Sequence, residues 1–299
     1  MQRRNFIKTT FAAAATTLIG SSALASSYDK GVFKLNYAPH FGMFSNSAGT
    51  DLFDQLKFMN EVGFRALEDN EMMVRKPEIQ SKIGETMAKL GMAMGVFVID
   101  GGDNWKVSLT SGKQEFKDTF LKTCRQAVET AKRCNAKVMT VVPGYFERNL
   151  PIGIQTGHVI DILKQAAAIF EPHGLAMVLE PLSDNPDLFL RTSDQTYMIC
   201  RAVGSPSCKI LYDIYHMQRN EGNVTAMMDN CWNEVAYIQI GDNPGRREPT
   251  TGEINYKNIF KHLSDKGYKG ILGMEHGNFK AGKDGEEALI KAYRAVDSF

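Results

Sequence analysis

The segment PHGLAMVLEPL, Pro172–Leu182, decides how this chain is read. A helix ends at Gly174, because glycine enters the left-handed turn without a Cβ penalty. Ala176–Leu179 is then apolar at every position instead of at alternate ones, the mark of a parallel strand covered on both faces. The strand ends on Glu180, and Pro181 follows. A carboxylate there is costly by several kcal/mol unless it is paired or binds a metal.

The same turn recurs outward from this point, in EVGFRAL (61–67), KLGMAMGV (89–96) and DKGYKGIL (265–272). Strands are predicted at Lys34–His40, Phe64–Glu68, Met92–Ile99, Lys137–Val142, Ala176–Glu180, Lys209–Asp213, Ala236–Ile240 and Gly270–Glu275. Amphipathic stretches between and after them predict helices near 51–62, 77–90, 115–134, 156–172, 193–203, 222–231, 256–266 and 284–297. Eight strand–helix units in this length predict an α/β fold, a (β/α)8 TIM barrel spanning 34–299 as one domain. The alternative is a doubly wound sheet, but no GxGxxG opens a helix after the first strand and no Walker A sequence occurs.

Residues 1–25 are read as a leader and 26–33 as a linker. Arg3-Arg4, a short apolar stretch from Phe11 to Leu24 and the small-residue pattern Ala23-Leu24-Ala25 predict a twin-arginine signal peptide. The expected location is periplasmic, with no membrane association once the signal is removed. The formal net charge of +1, with no basic block, leaves no electrostatic footprint for nucleic acid. The five cysteines include no CxxC spacing; whether Cys200 and Cys208 pair is left open, as is the oligomeric state.

In such a barrel, chemistry sits at the C-terminal ends of the strands. Strand five ends on Glu180, strand six on Asp213 with His216 three residues on, strand seven on Gln239, and strand eight on Glu275. These ends converge on half of the rim. Three carboxylates so close repel unless a cation sits among them. Hard oxygen donors suit Mn²⁺, Mg²⁺ or Co²⁺. Glu68 at the end of strand two, His40 after strand one and Trp105 in the loop after strand three are further candidates for substrate contact; each has an ordinary packing or surface role as its alternative.

The segments VLEPLSD (178–184), LYDIYHMQ (211–218), YIQIGDNPGRREPTTGEINY (237–256) and GMEHGN (273–278) resemble the hydroxypyruvate isomerase family, among the xylose isomerase-like sugar isomerases and epimerases. The resemblance runs from about residue 34 to 295 and is strongest over 176–277. It implies that Glu180, Asp213, Gln239 and Glu275 hold the metal and that the two glutamates also act as acid and base. By the same resemblance His216 and Arg246 bind substrate oxygens, while Glu253 and Tyr256 organise the loop. Gln239 stands where the ketose 3-epimerase branch usually carries His. Arg247 replaces a His common in the family, and His276 replaces a Tyr; both changes are expected where the substrate sits.

The expected chemistry is removal of a proton beside a carbonyl, through an enediolate, with return to the adjacent carbon (isomerisation) or to the same carbon (epimerisation). The substrate is then a small sugar or hydroxy-carbonyl compound. Two competing readings remain: an exported 3-keto-glycoside lyase that starts with the same proton abstraction, and a non-catalytic sugar-binding relative. A metal-dependent endonuclease would need more histidine ligands and a basic groove.

Overall fold

The computed structural model describes residues 31–299, so the leader, residues 1–25, and most of the linker lie outside the described residues. The eight predicted strands form, most of them shorter than the apolar run that announced them: β1 Asn36–Ala38, β2 Ala66–Leu67, β3 Ala93–Met94, β4 Val138–Val141, β5 Ala176–Leu179, β6 Cys208–Asp213, β7 Val235–Gln239 and β8 Ile271–Gly273. All pairings between these strands are parallel. β4 to β8 pair in sequence order, β8 pairs with β1, and β2 with β3. Parallel bridges His40–Glu68 and Val98–Thr140 join the two sheets and close the barrel. The chain is therefore a (β/α)8 barrel, as the repeating turn predicts.

The glycines of the four recurring turns have positive φ: Gly63 105°, Gly91 65°, Gly174 60° and Gly267 74°. Asn135 and Gly204 take the same left-handed conformation before β4 and β6. Each ends a helix so that the next strand can start at once. The helices are α1 Ser45–Ala48, α2 Leu52–Glu61, α3 Pro77–Lys89, α4 Gln114–Cys134, α5 Ile152–Phe170, α6 Ser193–Val203, α7 Ile214–Asn220, α8 Val224–Cys231, α9 Tyr256–Asp265 and α10 Gly282–Val296. Short α1 and α7 are not signalled by periodicity. The start of α7 depends on a side chain: Asp213 Oδ1 accepts from Tyr215 N at 2.7 Å.

The main core lies between strands and helices, while Val96, Val178, Leu211 and Tyr237 form a small cluster of their own. The N-terminal end of the barrel is tied by Glu234, which accepts from Lys209 at 2.6 Å and Arg201 at 3.1 Å. All five cysteines are buried and free, so Cys200 and Cys208 form no disulfide. No described helix is long and apolar enough to cross a membrane.

Candidate active site

β5, β6, β7 and β8 end side by side, and Asp213 is in register with Gln239. Glu180, Asp213, His216 and Glu275 each offer a ligand atom within 4.8 Å of the others, an arrangement able to hold a metal ion. Burial raises Glu180 well above the ordinary carboxylate range, and Glu275 and Asp213 push it further. Burial likewise raises Glu275, against the pull of Arg246. Such crowding favours protons or a cation among the oxygens.

Each predicted residue has a definite place. Asp213 Oδ1 is used by α7, and its Oδ2 lies 3.3 Å from Arg246 Nη2 and 3.4 Å from His216 Nε2. Glu180 Oε1 is buried without a hydrogen-bond partner, 3.8 Å from His216 Nε2. Glu275 Oε1 accepts from Asn70 Nδ2 at 3.4 Å, while its Oε2 is 3.0 Å from Arg246 without a well-directed hydrogen bond. Gln239 donates from Nε2 to Glu68 Oε1 at 2.9 Å, which leaves its Oε1 buried and unpartnered. A buried polar atom with no partner is costly. Glu180 Oε1 and Gln239 Oε1 are such atoms, and Glu275 Oε2 has only its ion pair with Arg246; three oxygens from three of the four strand ends fit a divalent ion.

His216 is fully buried. Its Nδ1 meets Ser183 N at 3.2 Å and Ser183 Oγ at 2.8 Å, and its Nε2 meets Arg246 Nη2 at 3.1 Å. Nε2 also faces the carboxylates of Asp213 and Glu180, at 3.4 Å and 3.8 Å. Burial lowers the tendency of this ring to protonate.

Arg246 adopts a left-handed φ of 49°, which is unfavourable for a residue with a Cβ. Its loop is held by Asp242, whose carboxylate accepts from Gly252 N at 2.8 Å and Ile254 N at 3.0 Å. Tyr256 clamps Gly241 from the other side, donating to its carbonyl at 2.7 Å and accepting from its N–H at 3.0 Å. Glu253 lies further out, near Gln218.

The site departs from expectation at two residues. Glu68 gives both oxygens to protein partners, Gln239 and Tyr237 (2.9 Å each), and so acts beneath the site. It fills space that only a glycine at 273 leaves: a Cβ there would stand 1.8 Å from Glu68 Oε2. Burial raises the Glu68 carboxyl to about 7. His276 is not at the substrate position; its ring turns into the core, where Nε2 meets Tyr293 OH at 2.7 Å. His40 lines a neighbouring cavity, with its ring nitrogens against the carbonyls of Phe41 and His276. Trp105 stands on the rim of the cavity above the cluster, 55% exposed. Sequence reading missed Asn70, Thr140, Ser183, Asp184, Tyr237 and Asp242. Of these, Asp184 and Asp242 sit inside the family segments VLEPLSD and QIGDNPGR, where a closer reading could have found them.

A closed parallel barrel with acidic residues converging on the C-terminal rim defines the class: a (β/α)8 barrel with its candidate site at that rim. The chain belongs to the xylose isomerase-like TIM barrel family, whose model matches residues 56–297. It is 31% identical over 178 residues to hydroxypyruvate isomerase of Escherichia coli K12, covering 58% of this chain and 67% of that one. It is 32% identical over 136 residues to 2-oxo-tetronate isomerase of Cupriavidus necator, covering 45% of this chain and about half, 52%, of the relative. Among solved structures it resembles a family 2 AP endonuclease from Brucella melitensis (TM-score 0.74, 20% identity, 87% of this chain and 98% of that one). It also resembles a 3-keto-D-glucoside 4-epimerase from E. coli (TM-score 0.73, 16% identity, 88% and 100%). At these identities the structural likeness concerns the fold.

Proposed function

We propose that the protein is a divalent-metal-dependent isomerase or epimerase of a small sugar or hydroxy-carbonyl compound, with Glu180 and Glu275 as its proton-transfer pair. The carrying observation is the group of Glu180, Asp213, His216 and Glu275 within 4.8 Å at the barrel rim. The isomerase names of the sequence relatives agree with it. Glu180, Asp213, Gln239 and Glu275 would hold the ion; the oxygen donors favour Mn²⁺, Mg²⁺ or Co²⁺. When bound, that ion supplies positive charge for the oxygens on which negative charge develops.

The chain's own residues do the rest. One glutamate removes the proton on the carbon beside the carbonyl, and the same or the opposite glutamate returns one. His216 lines the substrate cavity beside Asp213 and Glu180, and Arg246 fixes the orientation of Glu275.

The test is metal analysis of the purified protein, followed by incubation with ketoses, aldoses and 2-oxo acids in D₂O. Metal-dependent deuterium on carbon is the expected result; a preparation that takes up no divalent ion refutes the scheme.

The leader belongs to the same proposal: Arg3-Arg4 directs export by the twin-arginine route to the periplasm. Replacing both arginines by lysine is expected to leave the protein in the cytoplasmic fraction.

A further inference from the structure

Two cavities meet at the metal-binding end. One, of about 520 Å³, is lined by His40, Gln55, Glu68 and Arg75 among others. The second, of about 500 Å³, runs past Thr140, Glu180 and Arg246 to Trp105 and Val74. Asn70, Glu71 and Glu275 line both. Each volume lies in the range of pockets for drug-sized ligands, roughly 300–1,000 Å³. A three-carbon acid fills little of either. The far wall of the second cavity is apolar and open, with Trp105 55% and Val74 83% exposed. Nothing in a short keto acid reaches it.

Charge gives an independent argument. Glu71, Asp100, Glu180, Asp184, Asp213 and Glu275 belong to the second cavity or to the metal-binding group at its base. Arg246 is the only Arg or Lys lining that cavity among the described residues. A divalent ion and one guanidinium do not balance these carboxylates. Arg246 is also turned onto the protein's own groups: Nε donates to the Glu275 carbonyl at 3.2 Å, and Nη2 lies 3.0 Å from Glu275 and 3.3 Å from Asp213. A substrate carboxylate would compete with these carboxylates for the one guanidinium.

The third argument is the type of orphan group. A divalent ion accounts for the unpartnered oxygens of Glu180, Gln239 and Glu275. It does not account for Asn70 Oδ1 or Thr140 Oγ1, which are also buried without partners and belong to residues lining the second cavity. Asn70 Oδ1 is an acceptor and needs a donor. A hydroxyl group can donate, and a longer polyhydroxylated compound carries enough of them to serve Asn70 and Thr140 together.

We propose that the site takes a neutral, polyhydroxylated carbonyl compound of at least ketose size, lying from the carboxylate group to Trp105, and not a 2-oxo acid anion. This rests on the metal-dependent proton transfer proposed above. Asn70 and Thr140 pair with substrate hydroxyls, and the indole of Trp105 covers a C–H face.

The experiment compares deuterium incorporation by the Mn²⁺-loaded full chain, using ketopentoses, ketohexoses and keto-glycosides on one side and hydroxypyruvate and 2-oxo-tetronate on the other. The best neutral compound is expected to exceed both acids by at least about tenfold in kcat/KM. For the acids, kcat/KM should rise with ionic strength as the repulsion is screened; for neutral sugars it should stay flat. Exchange with an acid as fast as with any neutral compound overturns the proposal and leaves the proton-transfer reading intact. Exchange with neither class sinks that reading, and the proposal with it. W105A and T140V, at an exposed and a nearly isosteric position, should each raise KM for the best neutral compound by about fivefold or more. For dihydroxyacetone, too short to reach the indole, W105A should change KM less than twofold; an unchanged KM for the larger compound in both variants refutes the assigned contacts.

Discussion

The amide of Gln239 can turn over without changing shape, and only its surroundings decide which end faces a cation. Glu68 decides it: both its oxygens accept, from Tyr237 OH and from Gln239 Nε2, so the NH₂ end faces Glu68 and the carbonyl oxygen is left toward the carboxylate group. Tyr237 holds Glu68 in place. In E68Q either end of the Gln239 amide can pair, and metal affinity, read by calorimetry, is expected to fall about 10–100-fold. The double variant E68Q/Q239E restores a single donor–acceptor polarity and offers a carboxylate oxygen to the ion; it should recover most of the loss, and failure to do so argues against the orienting role. Glu180 and Glu275 are the proposed proton-transfer pair. E180Q and E275Q should each slow deuterium exchange by about 10²–10⁴-fold, and normal turnover in E275Q would refute the two-glutamate scheme. These two glutamates were legible in the sequence, since each ends a strand. The role of Glu68 was not, because its partners are some 170 residues away in the chain.

At the scale of the element, the strand ends and the loop after β7 carry the site. Tyr256 has its hydroxyl on both backbone groups of Gly241, so Y256F leaves a buried donor and acceptor unpaired at about 1–3 kcal/mol. The expected outcome is a lower melting temperature with a larger fall in kcat/KM, because Arg246 rides on that loop. The opposite end of the barrel concerns stability. Burial alone would raise the Glu234 carboxyl, yet hydrogen bonds from Lys209 and Arg201 hold it below its ordinary value of 4.5. The folded state therefore binds fewer protons there than the unfolded chain. The stabilisation is complete above pH 4.5 and is lost as pH falls through the lowered value. E234Q should flatten the acid limb of a melting-temperature profile and lower stability at pH 7 by about 1–2 kcal/mol; Arg201 is largely exposed, so its share is small. An unchanged acid limb would exclude Glu234 as a source of acid sensitivity. Helix α7 shows the limit of pattern reading: with seven residues it has too little length for a periodicity, and it starts because Asp213 caps it.

For the whole molecule, the acidic group at the rim opposes folding until a cation is present, because its carboxylates are buried and mutually repulsive. Chelation should thus lower the melting temperature, and a divalent ion at about 100 times its Kd should add about 2.7 kcal/mol of stability at 25 °C. No shift on adding Mn²⁺, Mg²⁺ or Co²⁺ to chelator-treated protein would count against a metal site at the rim. The barrel closes through only two isolated bridges, His40–Glu68 and Val98–Thr140. Those junctions lie beside the second and fourth strand ends, where both cavities open.

The sequence by itself determined the barrel and half of its site. Apolar runs, left-handed glycine turns and carboxylates at strand ends are local signals, and each constrains only a few neighbouring residues. Only the tertiary structure decided which way Gln239 presents its amide, that Glu68 works beneath the site, that His276 turns into the core, and that Arg246 is turned onto Glu275 and Asp213. Those facts depend on side chains brought together from distant strands, and on burial, which makes an unpaired oxygen costly; neither is encoded in the order of residues along one segment.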